Sequence, residues 1–357
     1  MATPHIVLIH GMGEHRKEDF QKTFTDPLDK ASKHFDSIGK ISETCKLHYI
    51  SYNEIFNQLR MNADKAAIDS MASQFPGAPS LITKINDINN SADSKNFFYT
   101  HIMDVLLYRS YFADRIQVSV AKQLVKAMKE AKNAGEELHI VCHSLGTAVM
   151  HDTLHKLYTH SLRDETGVQL LSAGLNKIKS ITMIANVSQL PITESTPYTS
   201  VVKPGPEGIC TYFMTCRHIL DPIASYTKFH VGNNWPMVPS GSFKNIKIKG
   251  VERANVHDLD HYLADPKVFL RFFIQLFDIT FFPTSSEVKA AEAEHLATIV
   301  QGRFDKLKES IEDCEISLHW DSDENEFSFN PHTESLYKQL VDFYTHLKQI
   351  ASTVDAT

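Results

Sequence analysis

The segment 142–146, which reads Cys-His-Ser-Leu-Gly, contains the residue best suited to nucleophilic chemistry. It follows an apolar run at 138–141 and precedes a stretch of helical character at 147–160. This order predicts a buried strand, a sharp turn with Ser144 at its tip, and a helix whose N-terminal N–H groups point at the same place. A serine hydroxyl held in this way can act as a nucleophile. The alternative is an ordinary turn in which Ser144 only caps the helix.

A nucleophilic serine needs a base, and the base needs an acid to orient it. Asp221 follows the predicted strand 210–216 and precedes Pro222, so we expect it at the carboxyl end of the sheet, where ligands bind in open α/β proteins. The preceding predicted strand ends at Ala185 and Asn186 and offers no carboxylate. Asp221 is therefore the predicted acid. The alternative is that Asp221 only caps the turn that Pro222 begins.

Two histidines compete for the role of the base, and both lie in the polar segment 255–263. His257 is farther from the next predicted helix, which leaves it free to reach the serine. His261 adjoins Tyr262 and Leu263, so helix packing can fix its direction. His257 is the favoured base, and His261 is the alternative.

An ester carbonyl under attack develops a negative oxygen, which needs two N–H donors already in place. The residue after the serine, Leu145, is expected to supply one donor. Met12 is expected to supply the other from the turn His-Gly-Met-Gly at 10–13, with Gly13 as the alternative donor. Those glycines could also form only a tight turn. A phosphate cradle is disfavoured because the Lys-Ser/Thr pair of a P-loop does not follow.

These segments together resemble the α/β-hydrolase superfamily, in particular its serine esterases and lipases. The resemblance covers roughly residues 5–280 and rests on four pieces in the family's chain order: 6–13, 138–146, Asp221-Pro222 and the loop around His257. Cys142 stands where the family pattern Gly-x-Ser-x-Gly has its first glycine, which is a departure. The resemblance implies an α/β-hydrolase fold that lacks the two leading strands, and chemistry that needs no cofactor.

The wider pattern predicts an α/β fold with a mostly parallel sheet flanked by helices. Strands are expected at 5–10, 46–52, 138–141, 179–185, 210–216 and 243–251, the last with the alternating lysines of an edge strand. Helices are expected at 20–35, 96–134, 147–160 and 265–282. These elements make a catalytic domain of residues 1–283.

Two segments fall outside this minimal domain. The insertion 53–97 begins with helical character, becomes irregular, and is a candidate lid over the active site. The alternative is a solvated insertion with no catalytic role. Residues 284–357 form a C-terminal appendage, with helices predicted at 287–313 and 335–350 and a hairpin between 316–320 and 327–329. The sequence does not decide what this appendage does.

Composition narrows the class of protein. The 357 residues carry a net charge of −7, which argues against a nucleic-acid binder. No apolar run is long enough for a membrane span, and the N-terminus lacks a signal-peptide core, so a cytoplasmic protein is expected. The five scattered cysteines argue against disulfides and structural zinc. His151 and His155 have a metal-like spacing, but no Glu follows His151, so no metal site is predicted.

The predicted function is that of a serine hydrolase acting on carboxylic esters, a carboxylesterase or lipase. Apolar residues of the candidate lid, Ile55, Phe56, Leu59 and Met61, favour a small-molecule ester or lipid with an acyl chain. A thioesterase, an amidase or a phospholipase could use the same residues. A non-catalytic, hydrolase-like scaffold is the alternative from a different class. The sequence is silent on the oligomeric state.

Overall fold

A six-stranded parallel sheet forms the centre of the computed structural model. The described residues are 3–11, 16–55, 108, 113–162, 171–189, 200–219, 221, 224, 229, 231, 235, 238–250, 256–301, 319–321 and 326–328. The architecture below concerns these residues.

The sheet contains strands from the whole length of the predicted catalytic domain. The strands are β1 (His5–Ile9), β2 (Lys46–Ile50), β3 (Leu138–His143), β4 (Ile178–Ile184), β5 (Cys210–His218) and β6 (Phe243–Ile248). Every pairing is parallel, and the strand order is β2-β1-β3-β4-β5-β6. The predicted parallel sheet is therefore confirmed, and β6 lies at an edge, as its alternating lysines indicated.

Helices cover both faces of this sheet. They are α1 (Lys17–Ser32), α2 (Ile41–Thr44), α3 (Ala113–Ala134), α4 (Leu145–Tyr158), α5 (Leu259–Ala264), α6 (Pro266–Phe277) and α7 (Ser285–Gln301). Successive side chains of a strand point to opposite faces, and β1 shows the result directly. Val7 and Ile9 pack with α3 and α4, whereas Ile6 and Leu8 pack with α1, α5 and α6.

The second half of the predicted domain differs from the sequence expectation in two places. Part of the segment 255–263 is helix α5, because Leu259, Tyr262 and Leu263 recur at helical spacing and are all buried. The predicted helix 265–282 ends early, at Phe277. Asp278 follows with a φ of 42°, in the left-handed region that ends a helix, and a short 3-10 turn completes the segment.

Several predicted features lie outside the described residues. They are the candidate lid 53–97 beyond residue 55, the start of the predicted helix 96–134 apart from residue 108, the predicted helix 287–313 beyond residue 301, and the predicted helix 335–350. Within the predicted appendage, β7 (His319–Asp321) and β8 (Glu326–Ser328) form an antiparallel pair in the region where the sequence predicts a hairpin. Among the described helices, none has the length and apolar character needed to cross a lipid bilayer.

Thiol chemistry is suppressed in the described part of the chain. Cys45, Cys142, Cys210 and Cys216 are all free, and the last three are buried. Burial raises the pKa of each of these three thiols far above its ordinary value of 9.0, so the reactive thiolate is disfavoured. The described residues also include no group of three His, Cys, Asp or Glu side chains arranged to hold a metal ion.

Candidate functional site

The strand order changes direction at β1 and β3, which marks their carboxyl ends as the expected place for a ligand. The strand that follows β1 in the chain, β2, lies on one side of β1, and β3 lies on the other side. Such a reversal of direction opens a ligand-binding crevice outside the carboxyl ends of parallel strands. Gly11 follows β1 and Ser144 follows β3, so both residues lie where the strand order changes direction.

Ser144 lies in a strained turn between β3 and α4. Its φ of 53° and ψ of −129° are sparsely populated by residues other than glycine, at a cost of about 1–3 kcal/mol. Three hydrogen bonds, to Ile184 and Thr147, hold the turn. The Ser144 N–H donates to the Ile184 carbonyl at 3.0 Å, and the Thr147 N–H and hydroxyl donate to the Ser144 carbonyl at 2.8 and 2.7 Å. The serine side chain makes no capping hydrogen bond to α4, unlike the helix-capping alternative.

The structure brings the three side chains predicted for catalysis into one hydrogen-bonded chain. Ser144 Oγ lies 2.8 Å from His257 Nε2, and His257 Nδ1 lies 2.8 Å from Asp221 Oδ2. An ionised carboxylate only accepts hydrogen bonds. The imidazole proton is therefore on Nδ1, which donates a hydrogen bond to Asp221. The unprotonated Nε2 then faces the Ser144 hydroxyl. All three side chains are buried, with residue exposures of 1% for Ser144, 5% for His257 and 0% for Asp221.

The two histidines that the sequence left in competition occupy different environments. His257 lies in the turn before α5, and its ring reaches Ser144. His261 lies inside α5, where its ring packs edge-on against the ring of His218 with the centroids 5.2 Å apart. The contact with the serine is therefore made by His257.

Asp221 makes both of the contacts that the sequence offered for it, one to a histidine and one to the turn. Oδ2 accepts from His257, while Oδ1 accepts from the Ala224 N–H at 3.1 Å and so caps the turn. Burial raises the pKa of Asp221, but the charge of His257 and the donated hydrogen bonds outweigh it, so the pKa lies below its ordinary 3.8. Burial lowers the pKa of His257, but the Asp221 charge more than offsets this and brings it above 6.5. The pair therefore favours a carboxylate beside a histidine that is readily protonated.

Two further residues support this chain of hydrogen bonds, and sequence reasoning missed both. The Tyr262 hydroxyl donates to Asp221 Oδ2 at 2.6 Å. His143 Nε2 donates to the backbone carbonyl of His257 at 2.7 Å. Each contact joins segments that are distant in the chain, so no local spacing could indicate it. The only signal was that His143 directly precedes Ser144.

The backbone that follows β1 lies against the serine. A Cβ atom built on Gly11 would stand 2.6 Å from the Ser144 Cβ and 3.2 Å from its Oγ, so only glycine fits there. The Tyr52 hydroxyl supports this backbone, since it lies 2.7 Å from the His10 carbonyl oxygen and 2.8 Å from that of Gly11. The His10 ring stacks on the Tyr52 ring with centroids 4.2 Å apart. Tyr52 thus holds the backbone of the turn after β1 in place through its hydroxyl and its ring.

Of the predicted oxyanion donors, only Leu145 is among the described residues. It is the first residue of α4, where a backbone N–H has no acceptor within its own helix. Met12 and its alternative, Gly13, lie outside the described residues.

No protein-family model matches the chain. No curated protein matches its sequence. One solved structure, titled a novel cutinase-like protein from Cryptococcus sp., is similar to the chain with a TM-score of 0.30 and 9% sequence identity, covering 87% of this chain and 94% of that one. A TM-score this low supports no conclusion about shared activity.

Proposed function

We propose that this protein is a serine hydrolase of the α/β-hydrolase type that cleaves carboxylic esters. The observation that carries the proposal is the continuous chain from Asp221 Oδ2 through His257 to Ser144 Oγ, with two hydrogen bonds of 2.8 Å. The strained turn at Ser144, and its position at the carboxyl ends of β1 and β3 where the strand order changes direction, support it. No cofactor is required for this chemistry.

In the first half of the reaction, Ser144 Oγ attacks the ester carbonyl carbon while its proton passes to His257 Nε2. Asp221 stabilises the imidazolium that forms and keeps the ring in the correct tautomer. The tetrahedral intermediate then collapses, and the bond from the carbonyl carbon to the leaving oxygen breaks. His257 returns its proton to that oxygen, which releases the alcohol and leaves an acyl group on Ser144.

In the second half, water takes the place of the alcohol. His257 Nε2 accepts a proton from the water, whose oxygen attacks the acyl carbon. Collapse of this second intermediate breaks the bond to Ser144 Oγ, which regains a proton from His257, and the carboxylic acid leaves.

The oxyanion of both intermediates needs fixed donors. We assign the Leu145 N–H to this role because it belongs to the free N-terminal end of α4, where the helix dipole also favours negative charge. We keep Met12 as the second donor. Gly11 supports this assignment, because its lack of a side chain leaves room beside Ser144.

The finer features of the proposal follow from the sequence. Substrates are small-molecule or lipid esters, and the insertion 53–97 acts as a lid whose apolar residues, such as Phe56 and Leu59, cover the acyl chains. The catalytic domain comprises residues 1–283, and residues 284–357 are an appendage to it. The free cysteines of the described residues fit a reducing compartment such as the cytoplasm.

Hydrolysis of p-nitrophenyl esters of graded acyl length tests the proposal. Wild type is expected to hydrolyse at least one ester, and Ser144→Ala is expected to lower kcat by about a thousandfold or more. Ser242→Ala is the matched control, because Ser242 is also buried but its hydroxyl donates to the Pro239 carbonyl at a turn before β6. Wild type that hydrolyses no ester, or activity that survives Ser144→Ala, would contradict the proposal. Activity limited to thioester or amide analogues would show that the protein is a thioesterase or an amidase and not an esterase.

A further inference from the structure

Asp221 has a second side-chain donor besides His257. Tyr262 lies on α5 with 0% exposure, and its hydroxyl oxygen is 2.6 Å from Asp221 Oδ2. The same carboxylate oxygen accepts the proton of His257 Nδ1 at 2.8 Å. One oxygen atom therefore connects the tyrosine with the histidine.

The direction of the tyrosine hydrogen bond is fixed by a third group. The backbone N–H of His218, at the end of β5, donates to the Tyr262 hydroxyl oxygen at 2.9 Å. A backbone N–H cannot accept, so the hydroxyl accepts there and its single proton is left for Asp221. Both Tyr262 and Asp221 are fully buried, so bulk water does not replace this donor.

We propose that Tyr262 is a positioning residue that holds Asp221 in one rotamer and shares its negative charge, and thereby sets how strongly Asp221 attracts a proton on His257. The catalytic consequence rests on the proposed serine hydrolase function. A donor to a carboxylate draws charge away from it, so a weaker charge remains to stabilise the imidazolium. Without the hydroxyl, Asp221 would interact more strongly with His257 and would also lose one of the contacts that fix its orientation.

Other titratable groups lie next to the Asp221–His257 pair, or next to Tyr262 and His218 beside it. They are His143 on β3, Cys216 and His218 on β5, Asp258 in the turn before α5, and His261 on α5. None of these residues is changed in the variants below. Their influence on His257 is therefore common to all of the proteins compared.

The test is an NMR titration of the His257 ring in the full-length protein without substrate, with the signal assigned by its loss in His257→Gln. Tyr262→Phe removes only the hydroxyl and is expected to raise the His257 titration midpoint by about half a pH unit to one unit. The acid limb of kcat/KM for a p-nitrophenyl ester should move up by the same amount, and kcat should fall by about tenfold because Asp221 is held less firmly.

Tyr108→Phe is the matched control for loss of a buried hydroxyl. Tyr108 is also buried, donates to a carboxylate oxygen, Asp152 Oδ2, at 2.7 Å, and accepts from Gln117 Nε2 at 2.9 Å. Asp152 lies on the second half of α4, away from the serine turn. The control should lose stability in the same way but leave the His257 midpoint and the acid limb at their wild-type positions.

A second replacement keeps the ring and the hydroxyl, so it remains informative if Tyr262→Phe does not fold. Incorporation of 3-fluorotyrosine at position 262 makes the phenol a stronger donor, and the His257 midpoint should then fall below that of wild type. A midpoint that does not move in either replacement, or that moves equally in Tyr108→Phe, would overturn the inference.

The two proposals fail in different experiments. The titration needs no hydrolysis, so opposite shifts in the two Tyr262 replacements would support the positioning role even if Ser144→Ala had no effect on activity. The converse result is ester hydrolysis that depends on Ser144 and a His257 titration midpoint that does not move in the Tyr262 replacements. That result would support the hydrolase function and exclude the positioning role of Tyr262.

Discussion

Gly146 is packed directly against the backbone of His10. A Cβ atom built on Gly146 would stand 2.3 Å from the His10 carbonyl oxygen and 3.0 Å from that of Ile9. The first turn of α4 therefore approaches the end of β1 with no room for a side chain. This contact sets the distance between the serine turn and the backbone that follows β1, which is where the proposed oxyanion donors belong.

Gly146→Ala should therefore displace α4 from β1. Alanine is intrinsically better than glycine in a helix, but a clash with backbone atoms outweighs that gain, and we expect a net loss of about 1–3 kcal/mol in the free energy of unfolding. Ester hydrolysis should fall with it. Gly174→Ala is the control, because a Cβ there has no neighbour within 4 Å. Urea unfolding measures the stability of both variants relative to wild type. If Gly146→Ala is as stable as wild type, the contact between Gly146 and His10 is not as close as described.

The two buried histidines should respond differently to substitution. His257→Gln removes the group that contacts Ser144 and is expected to lower kcat by about a thousandfold or more. His261→Gln disturbs packing against His218 and should affect the melting temperature more than kcat. Rates measured on the same p-nitrophenyl ester compare them. A greater loss of activity in His261→Gln than in His257→Gln would make His261 the base and His257 the packed histidine.

The pH dependence of hydrolysis should follow His257. Burial lowers the pKa of this histidine, but the Asp221 carboxylate more than offsets it, so the pKa lies above 6.5. The base must be neutral to accept the serine proton, so kcat/KM should fall as the pH drops, with a midpoint above 6.5 rather than below it. Asp221→Asn should lower that midpoint and reduce kcat by about ten-thousandfold. A wild-type midpoint below 6.5 would contradict the assigned pairing.

A buried histidine outside the site should control acid stability. His139 lies on β3 with its Nδ1 2.8 Å from Ser180 Oγ, and burial, together with the charge of Lys179, lowers its pKa from 6.5 to about 3. Below pH 6.5 the unfolded chain binds a proton that the folded chain refuses, so stability should decrease as the pH falls towards about 3.

Substitution of this histidine tests the linkage. His139→Gln should reduce the difference in unfolding free energy between about pH 7.5 and about pH 5 by about 2 kcal/mol. Thr153→Val, at a buried position whose side chain does not titrate, should keep the wild-type dependence. Denaturant unfolding at the two pH values measures both variants. An unchanged dependence in His139→Gln would show that His139 is protonated in the folded protein.

The sequence predicted the sheet and the serine turn because both are encoded locally. The apolar runs that become β1 and β3 are short and continuous, which is typical of strands buried on both faces. The turn at Ser144 was indicated by a strand signal and a helix signal separated by two small residues and a histidine. Both patterns can be seen within about twenty residues of chain.

Contacts between distant segments could not be predicted in this way. The charged residues around Leu259 concealed the helical spacing of α5, and only α5 brings the Tyr262 hydroxyl to Asp221. The same helix gives His257 and His261 different environments. The sequence could rank these two histidines as candidate bases only by their distance from the next predicted helix. A hydrogen bond between residues so far apart in the chain depends on the whole sheet being assembled.

Covalent labelling by a fluorophosphonate probe tests the central claim most directly, because only an activated serine displaces the fluoride. Mass spectrometry of the digested protein should locate one phosphonyl group, on Ser144. His257→Gln should slow the labelling by about a hundredfold or more, since the base that accepts the serine proton is missing. Labelling of Ser144 that depends on His257 is the predicted result. An unlabelled protein, a label on a different serine, or labelling at the wild-type rate in His257→Gln would contradict the account.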